Sequence, residues 1–80
     1  MVRDMPQVVA YILMVTDIGK EYDVVKEISK IKGITESRSV YGEFDVIARI
    51  EAEDLKTLDD AVTKIRKISS IIRTVTLISA

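Results

Sequence analysis

The residues best suited to chemistry in this sequence lie together in the segment Tyr41-Gly42-Glu43-Phe44-Asp45. The segment combines a turn-forming glycine, two carboxylates and two aromatic rings. An ionised carboxylate only accepts hydrogen bonds, so it suits a ligand ammonium group or a cation. The same residues could serve structure alone, because Gly-Glu fits a two-residue type II′ turn and the two rings could pair across strands. Both interpretations stay open at this point.

Two threonines near the end of the chain form a second candidate group. Thr74 and Thr76 are two residues apart, so in a strand they point to one side and offer hydroxyls that both donate and accept. Threonine is also a common strand residue, which is the simpler interpretation. The carboxylates of Glu51, Glu53 and Asp54 fit a helix start better than a cation site, because they match no calcium-loop pattern. We therefore predict no metal site.

The composition excludes several classes of function. The chain has no histidine and no cysteine, which removes Cys/His zinc sites, thiol nucleophiles and histidine bases. Twelve basic against thirteen acidic residues give a net charge of -1, too little to attract nucleic acid or an anionic membrane. The apolar run at residues 8–15 is too short to cross a bilayer. We expect a cytoplasmic protein that is not an enzyme, needs no cofactor and binds neither membrane nor nucleic acid directly.

The hydropathy pattern predicts six elements in the order βαββαβ. Helical spacing of apolar residues marks two helices, and β-branched or alternating runs mark four strands. The predicted elements are a strand at 8–15, a helix at 20–31, strands at 34–41 and 44–51, a helix beginning near Glu53-Asp54, and a strand at 71–78. Two right-handed βαβ units give an α+β, ferredoxin-like sandwich, with both helices on one face of an antiparallel sheet ordered 4-1-3-2.

A turn at Gly42-Glu43 would set the register of the middle strands. The opposed pairs would then be Tyr41 with Phe44, Val40 with Asp45, Arg38 with Ile47, and Glu36 with Arg49. The last of these pairs joins opposite charges, which favours the register. Asp45 would lie on the face opposite Phe44 and Val46, where a carboxylate must meet solvent, a cation or a ligand ammonium.

The small size of the chain predicts association between copies. We expect one domain over residues 1–80, with a flexible start at residues 1–6. A domain of 80 residues hides only about 60% of its chain surface, and neither disulfides nor a Cys/His metal site can compensate. The first strand is apolar on both faces, yet two helices cover only one face of the sheet. We therefore predict a homodimer through the uncovered face.

Taken together, these features resemble the effector-binding domain of Lrp/AsnC transcription regulators, also called the regulation-of-amino-acid-metabolism (RAM) domain. The resemblance covers about residues 7–79, and its most specific part is the Gly-acid-aromatic-Asp hairpin. Its other parts are Gly19-Lys20-Glu21, Gly33-Ile34, Glu51-Ala52-Glu53-Asp54-Leu55 and Arg73-Thr74-Val75-Thr76-Leu77-Ile78.

The resemblance implies a domain that pairs through its sheets, forms an octamer or another ring of dimers, and binds amino-acid effectors between dimers. By position, the residues it places at the effector are Gly42, Glu43, Phe44, Asp45, Thr74 and Thr76. Backbone N–H groups of the hairpin would hold the amino acid's carboxylate, and Asp45 would accept its ammonium group. Only seven residues precede the strand predicted at 8–15, so we expect a stand-alone type without the DNA-binding helix-turn-helix, and a full-length Lrp/AsnC regulator as a partner.

Two other functions stay open. The chain could be a purely structural assembly subunit, in which the hairpin serves only the fold. It could also be a small oxidoreductase or isomerase on the related dimeric barrel, although Ser37 and Ser39 have no visible base. A change in thermal stability on adding amino acids would distinguish an effector-binding module from the structural subunit. Catalytic turnover would distinguish the enzyme from both.

Overall fold

The structure, a computed structural model, describes residues 8–79 and has the predicted βαββαβ order. The predicted flexible start at residues 1–6 lies outside the described residues. The elements are β1 (Val8–Thr16), α1 (Glu21–Ser29), β2 (Ile34–Ser39), β3 (Val46–Ala52), α2 (Leu55–Arg66) and β4 (Ile71–Ile78).

The four strands form one antiparallel sheet in the order β2-β3-β1-β4. Read from the other edge, this is the predicted order 4-1-3-2, so the ferredoxin-like prediction is confirmed. The strand β1 lies between β3 and β4, as its run of apolar residues requires. Its carboxyl end therefore lies between the start of β3 and the start of β4, where Met14 is opposite Val46 and Thr16 is opposite Ile71.

The core lies between the two helices and one face of the sheet. Alternate residues of β1 and β3 face it, as do the apolar positions of both helices. Its buried members are Ala10, Ile12, Met14, Val24, Ile28, Val46, Ala48, Ile50, Ala52, Leu58, Ala61, Ile65 and Ile68. The predicted start of α2 is also confirmed, because the Asp54 carboxylate accepts a 2.8 Å hydrogen bond from the backbone N–H of Thr57. This N-cap bond lowers the pKa of Asp54 below its usual 3.8.

The other face of the sheet has no covering element among residues 8–79. It is formed by the alternate residues of β1, namely Tyr11, Leu13 and Val15, and by the residues that pair with them. Tyr11 and Leu77 are 39% and 52% exposed there, respectively. We call this surface the open face. The strand β1 is thus apolar on both faces, as predicted.

The first helix is shorter than the predicted range 20–31, and Gly33 lies in the turn that follows it. The helix α1 ends at Ser29, and Lys30 occupies its C-cap. Gly33 follows three residues later with φ +99°, and its carbonyl accepts a 2.8 Å hydrogen bond from the Glu51 N–H. A Cβ atom at Gly33 would lie 3.2 Å from the Glu51 carbonyl oxygen. Glycine therefore allows the chain to approach β3 closely as it enters β2.

Candidate functional site

The segment between β2 and β3 is a six-residue loop rather than the predicted two-residue turn. The strand β2 ends at Ser39 and β3 begins at Val46. The predicted pairs Arg38 with Ile47 and Glu36 with Arg49 are confirmed, and the Val40 N–H donates to the Asp45 carbonyl at 2.9 Å. The predicted pairing of Tyr41 with Phe44 is wrong, because the ladder ends before it and the Tyr41 side chain is fully exposed.

Asp45 connects the loop both to the end of β2, through Val40, and to β1. Its backbone N–H donates to the Met14 carbonyl at 2.8 Å. Its carboxylate Oδ2 accepts a 2.9 Å hydrogen bond from the backbone N–H of Thr16. Asp45 precedes β3, so the regular alternation used to place it on the face opposite Val46 does not apply. The residue joins the loop to the end of β1.

The second carboxylate oxygen of Asp45 is available to a ligand. No donor among residues 8–79 bonds to Oδ1, and the side chain is half-buried. It lines a groove of about 350 Å³, which we call the hairpin groove. The residues lining the groove are Glu21, Tyr22, Ser39, Val40, Tyr41, Gly42 and Asp45.

The hairpin groove has a lining suited to a cationic group. Glu21 and Asp45 are acidic and no lining residue is basic. The rings of Tyr22 and Tyr41 are largely exposed, and aromatic rings attract ammonium groups. Sequence reasoning missed Glu21 and Tyr22, because only the folded chain brings the first turn of α1 beside the loop. Gly42 has φ +116°, a value that favours glycine, although it lies in the six-residue loop rather than in the predicted two-residue turn.

Glu43 and Phe44 lie outside the hairpin groove. Glu43 is exposed. Phe44 is half-buried, and the guanidinium carbon of Arg73 lies 5.3 Å from the centre of its ring. This cation–π contact links the loop to the start of β4. Of the four predicted hairpin residues, one protomer therefore brings Gly42 and Asp45 to a common groove.

The two threonines lie on the helix side of β4, away from the hairpin groove. Thr74 is opposite Met14 and Thr76 is opposite Ile12, and both methionine and isoleucine belong to the core. Thr76 borders a depression beside α2. Thr74 borders a groove of about 300 Å³, lined by Arg66, Ile71, Ile72, Arg73 and Thr74, which we call the arginine groove. A role for either threonine beside an effector stays a prediction that needs a second subunit.

A row of charged residues crosses the open face. Arg49 forms an ion pair with Glu51, and Arg38 forms one with Glu36. Glu36 and Arg49 are thus opposite each other as predicted, but each forms its ion pair with a residue of its own strand. The hydrogen bond that Arg49 donates to the Glu51 carboxylate, together with one that involves Tyr11, raises the pKa of Arg49 above its usual value. The charges lie beside apolar Leu13 and Ile47, as at the polar rim of an interface.

Other kinds of site are absent from the described part of the chain. Among residues 8–79, no three His, Cys, Asp or Glu side chains come together as metal ligands. No helix within the same residues is long and apolar enough to cross a membrane.

Comparison with known proteins identifies the class to which this fold and loop belong. The family model for the Lrp/AsnC ligand binding domain matches residues 9–80. The chain therefore belongs to the Lrp/AsnC ligand-binding domain family, and the predicted resemblance is confirmed. No curated protein gives a significant match.

Three solved structures illustrate the similarity. Hypothetical protein PHS023 from Pyrococcus horikoshii is 43% identical, with a TM-score of 0.87 over 92% of this chain and 90% of that one. FFRP-DM1 is also 43% identical, with a TM-score of 0.87 over 92% of this chain and 100% of its own. The transcriptional regulator NMB0573 from Neisseria meningitidis, solved as a complex with L-Met, has a TM-score of 0.80 at 13% identity, over 92% of this chain and 50% of that one. At that identity the last similarity shows the fold alone.

Proposed function

We propose that this chain is a non-enzymatic module that binds an amino-acid effector and assembles into oligomers in the cytoplasm. The observation that carries the proposal is the half-buried Asp45 carboxylate at the hairpin groove of a Lrp/AsnC ligand-binding domain. The L-Met complex of NMB0573 supports an amino acid as the ligand class. Binding would alter assembly and, through it, transcription.

Asp45 would bind the ammonium group of the amino acid. Its Oδ2 is held by the Thr16 N–H, which orients the carboxylate, while Oδ1 accepts from the ligand. A hydrogen bond between two charged groups is about twice as strong as a neutral one. Tyr22 and Tyr41 would add ring contacts to the same group. Gly42 would let the loop backbone approach the ligand.

The open face would pair with the same face of a second copy. Exposed apolar residues at its centre and ion pairs beside them are the arrangement found in protein interfaces. Dimers formed in this way would associate further into a ring, such as an octamer. Mixed assembly with a full-length Lrp/AsnC regulator would then transmit the effector response to DNA, since a net charge of -1 gives this chain little overall attraction for nucleic acid.

A thermal-shift screen against the twenty amino acids, with light scattering on the responding ones, tests the proposal. We expect at least one amino acid to raise the unfolding temperature and to change the mass of the assembly, because a ligand that binds only the native state stabilises it. Unchanged melting and mass across all twenty would contradict effector binding.

The second candidate function is a purely structural subunit. The bond from the Thr16 N–H to Asp45 favours it, because this bond gives the carboxylate a role in the fold without any ligand. The two functions differ in the response of the Asp45→Asn variant. A purely structural subunit binds no amino acid, so the variant should differ from the parent in stability at most, whereas effector binding predicts a loss of affinity.

A further inference from the structure

The arginine groove gathers positive charge from two elements of one chain. Arg66 lies in the last turn of α2 and Arg73 lies in β4, and both line the groove, whereas no acidic residue among residues 8–79 does. A basic residue in the last turn of a helix suits the helix dipole, which accounts for Arg66. The same reason does not account for Arg73. The groove is therefore a local concentration of positive charge on a chain whose net charge is -1.

Both guanidinium groups are available to an anion. Neither Arg66 nor Arg73 forms an ion pair with any of residues 8–79, and both side chains are exposed. The ring of Phe44, whose centre is 5.3 Å from the Arg73 guanidinium carbon, restrains that group without neutralising its charge. A group that is already restrained loses less freedom when it binds a ligand.

A β-bulge in β4 shapes the groove. Val15 of β1 is opposite Arg73, but the next residue, Thr16, is opposite Ile71, so Ile72 is an extra residue without a partner. In a regular strand, consecutive side chains face opposite sides. The bulge interrupts this alternation, and the consecutive residues 71–74 all line one groove. Bulges that redirect side chains in this way are over-represented next to functional sites.

The connection between α2 and β4 holds the groove in shape. Ile68, in the middle of this connection, is buried in the core, and its carbonyl accepts a 3.1 Å hydrogen bond from the Ile71 N–H. The Ser70 carbonyl accepts a 2.8 Å hydrogen bond from the Asp17 N–H. These contacts fix the end of α2 relative to the start of β4. The groove is thus pre-formed, as small-molecule sites usually are.

The charge of the groove matches a phosphate group better than a carboxylate. A phosphate monoester carries a charge of about -1.5 to -2 at pH 7, close to the sum of two guanidinium charges. Each guanidinium can bind phosphate oxygens through two parallel hydrogen bonds, and the Thr74 hydroxyl can donate another. The groove volume of about 300 Å³ is at the lower end of small-molecule sites, and Ile71 and Ile72 add apolar surface beside the charges.

We propose that the arginine groove binds a small organic phosphate monoester, with Arg66 and Arg73 on the phosphate and Ile72 beside the organic group. The site lies within one copy of the chain and shares no lining residue with the hairpin groove. It does not depend on the proposed amino-acid effector. Inorganic phosphate offers the same charged group but no apolar part, so the two sources can be distinguished.

Calorimetric titration at constant ionic strength tests the ligand class with phenyl phosphate, inorganic phosphate and benzoate. Phenyl phosphate should bind most tightly, because it meets both the arginines and the isoleucines. Inorganic phosphate should bind more weakly and benzoate, with a single charge, most weakly. Equal affinity for the two phosphates would contradict the organic group, and benzoate that binds as tightly as phenyl phosphate would contradict the charge match.

Substitutions test the location of the site. Arg66→Met and Arg73→Met should each weaken the binding of phenyl phosphate about tenfold. Phe44→Leu should weaken it about two- to fivefold by releasing Arg73, whereas Phe44→Tyr keeps a ring there and should keep the affinity. Lys67→Met removes an exposed charge outside the groove lining and is the matched control. An equal loss from Lys67→Met and the arginine variants would show diffuse attraction to positive charge and overturn the site.

The pH dependence of binding provides a readout that a change in folding would not imitate. The second pKa of a phosphate monoester is about 6, so affinity for phenyl phosphate should fall about fourfold between about pH 7.5 and about pH 5.5. Sulfate keeps both charges over this range and should bind equally at both values. The chain has no histidine, so a loss confined to the phosphate reports the charge of the ligand. Equal losses for phenyl phosphate and sulfate would contradict recognition of the dianion.

Discussion

At the scale of single residues, Asp45 has one role in the fold and a second, proposed role in binding. One carboxylate oxygen holds the end of β1 through the Thr16 N–H, and the other accepts no hydrogen bond from residues 8–79, in a residue that lines the hairpin groove. Sequence reasoning identified this residue from its type and family position. It could not identify the bond to Thr16, because that contact joins residues 29 positions apart.

Asp45→Asn is expected to weaken binding of a responding amino acid by about ten- to a hundredfold, or about 1.5 to 3 kcal/mol. The amide keeps an oxygen for the Thr16 N–H but removes the charge that attracts ammonium. Calorimetric titration measures the affinity, and urea unfolding should show little change. Asp45→Ala, which removes both roles, should also lower the free energy of unfolding by about 1 kcal/mol. Equal affinities for the parent and a folded Asp45→Asn variant would remove Asp45 from the site.

Gly42→Val is expected to destabilise the protein by about 1 to 3 kcal/mol, because φ +116° is strained for a β-branched residue. A Cβ atom at this position meets nothing within 4 Å, so the loss would come from the backbone rather than from a clash. Urea unfolding measures it. Glu43→Val is the matched control, since this exposed neighbour has no positive φ. Equal stability of the two variants would show that the loop can adjust.

At the scale of elements, the second helix is capped by Asp54, the residue that precedes it. The Asp54 carboxylate caps α2 through the Thr57 N–H, and the pKa of this carboxyl is lowered by that bond. A group with a lowered pKa in the folded state stabilises it above the usual pKa of 3.8 and loses that contribution as pH falls through the folded value.

Asp54→Ala is therefore expected to lower the unfolding temperature at pH 7, and the difference from the parent should shrink as the pH falls below about 3.8. Thermal unfolding followed by circular dichroism at several pH values measures this. Asp54→Asn serves as the control, because asparagine also caps a helix and carries no charge to titrate. A difference between parent and Asp54→Ala that stays constant down to pH 2 would contradict the role of ionisation.

The elements were more predictable than the site they form. Apolar spacing placed the strand at residues 71–78, and Asp54 marked the start of α2, because these signals are local. The two-residue turn was wrong, because the paired residues end at Ser39 and Val46, and Asp45 bonds to residues of β1 that are distant in sequence. Thr74 and Thr76 share a side as alternation requires, but which side depends on their pairing with Met14 and Ile12. Local sequence patterns do not show which residues distant in sequence lie opposite each other in the sheet.

At the scale of the whole molecule, the two faces of β1 lie in different environments. Ile12 is fully buried in the core, whereas Leu13 lies on the open face opposite Ile47 and Val75. The sequence required one residue of this pair on each face, and the structure identifies which. A domain this small buries little of its surface, so the open face is expected to contribute to stability through pairing.

Ile12→Glu and Leu13→Glu are thus expected to fail in different ways. A carboxylate at Ile12 would be buried without a partner, so this variant should show no cooperative unfolding transition by circular dichroism. Leu13→Glu leaves the core intact and puts a charge on the open face, so sedimentation should show loss of the dimer, with an unfolding temperature that is lower and no longer depends on concentration. Glu43→Gln, an exposed change in the loop, is the control for a difference of one charged group. A Leu13→Glu variant that stays dimeric would show that copies do not pair through the open face.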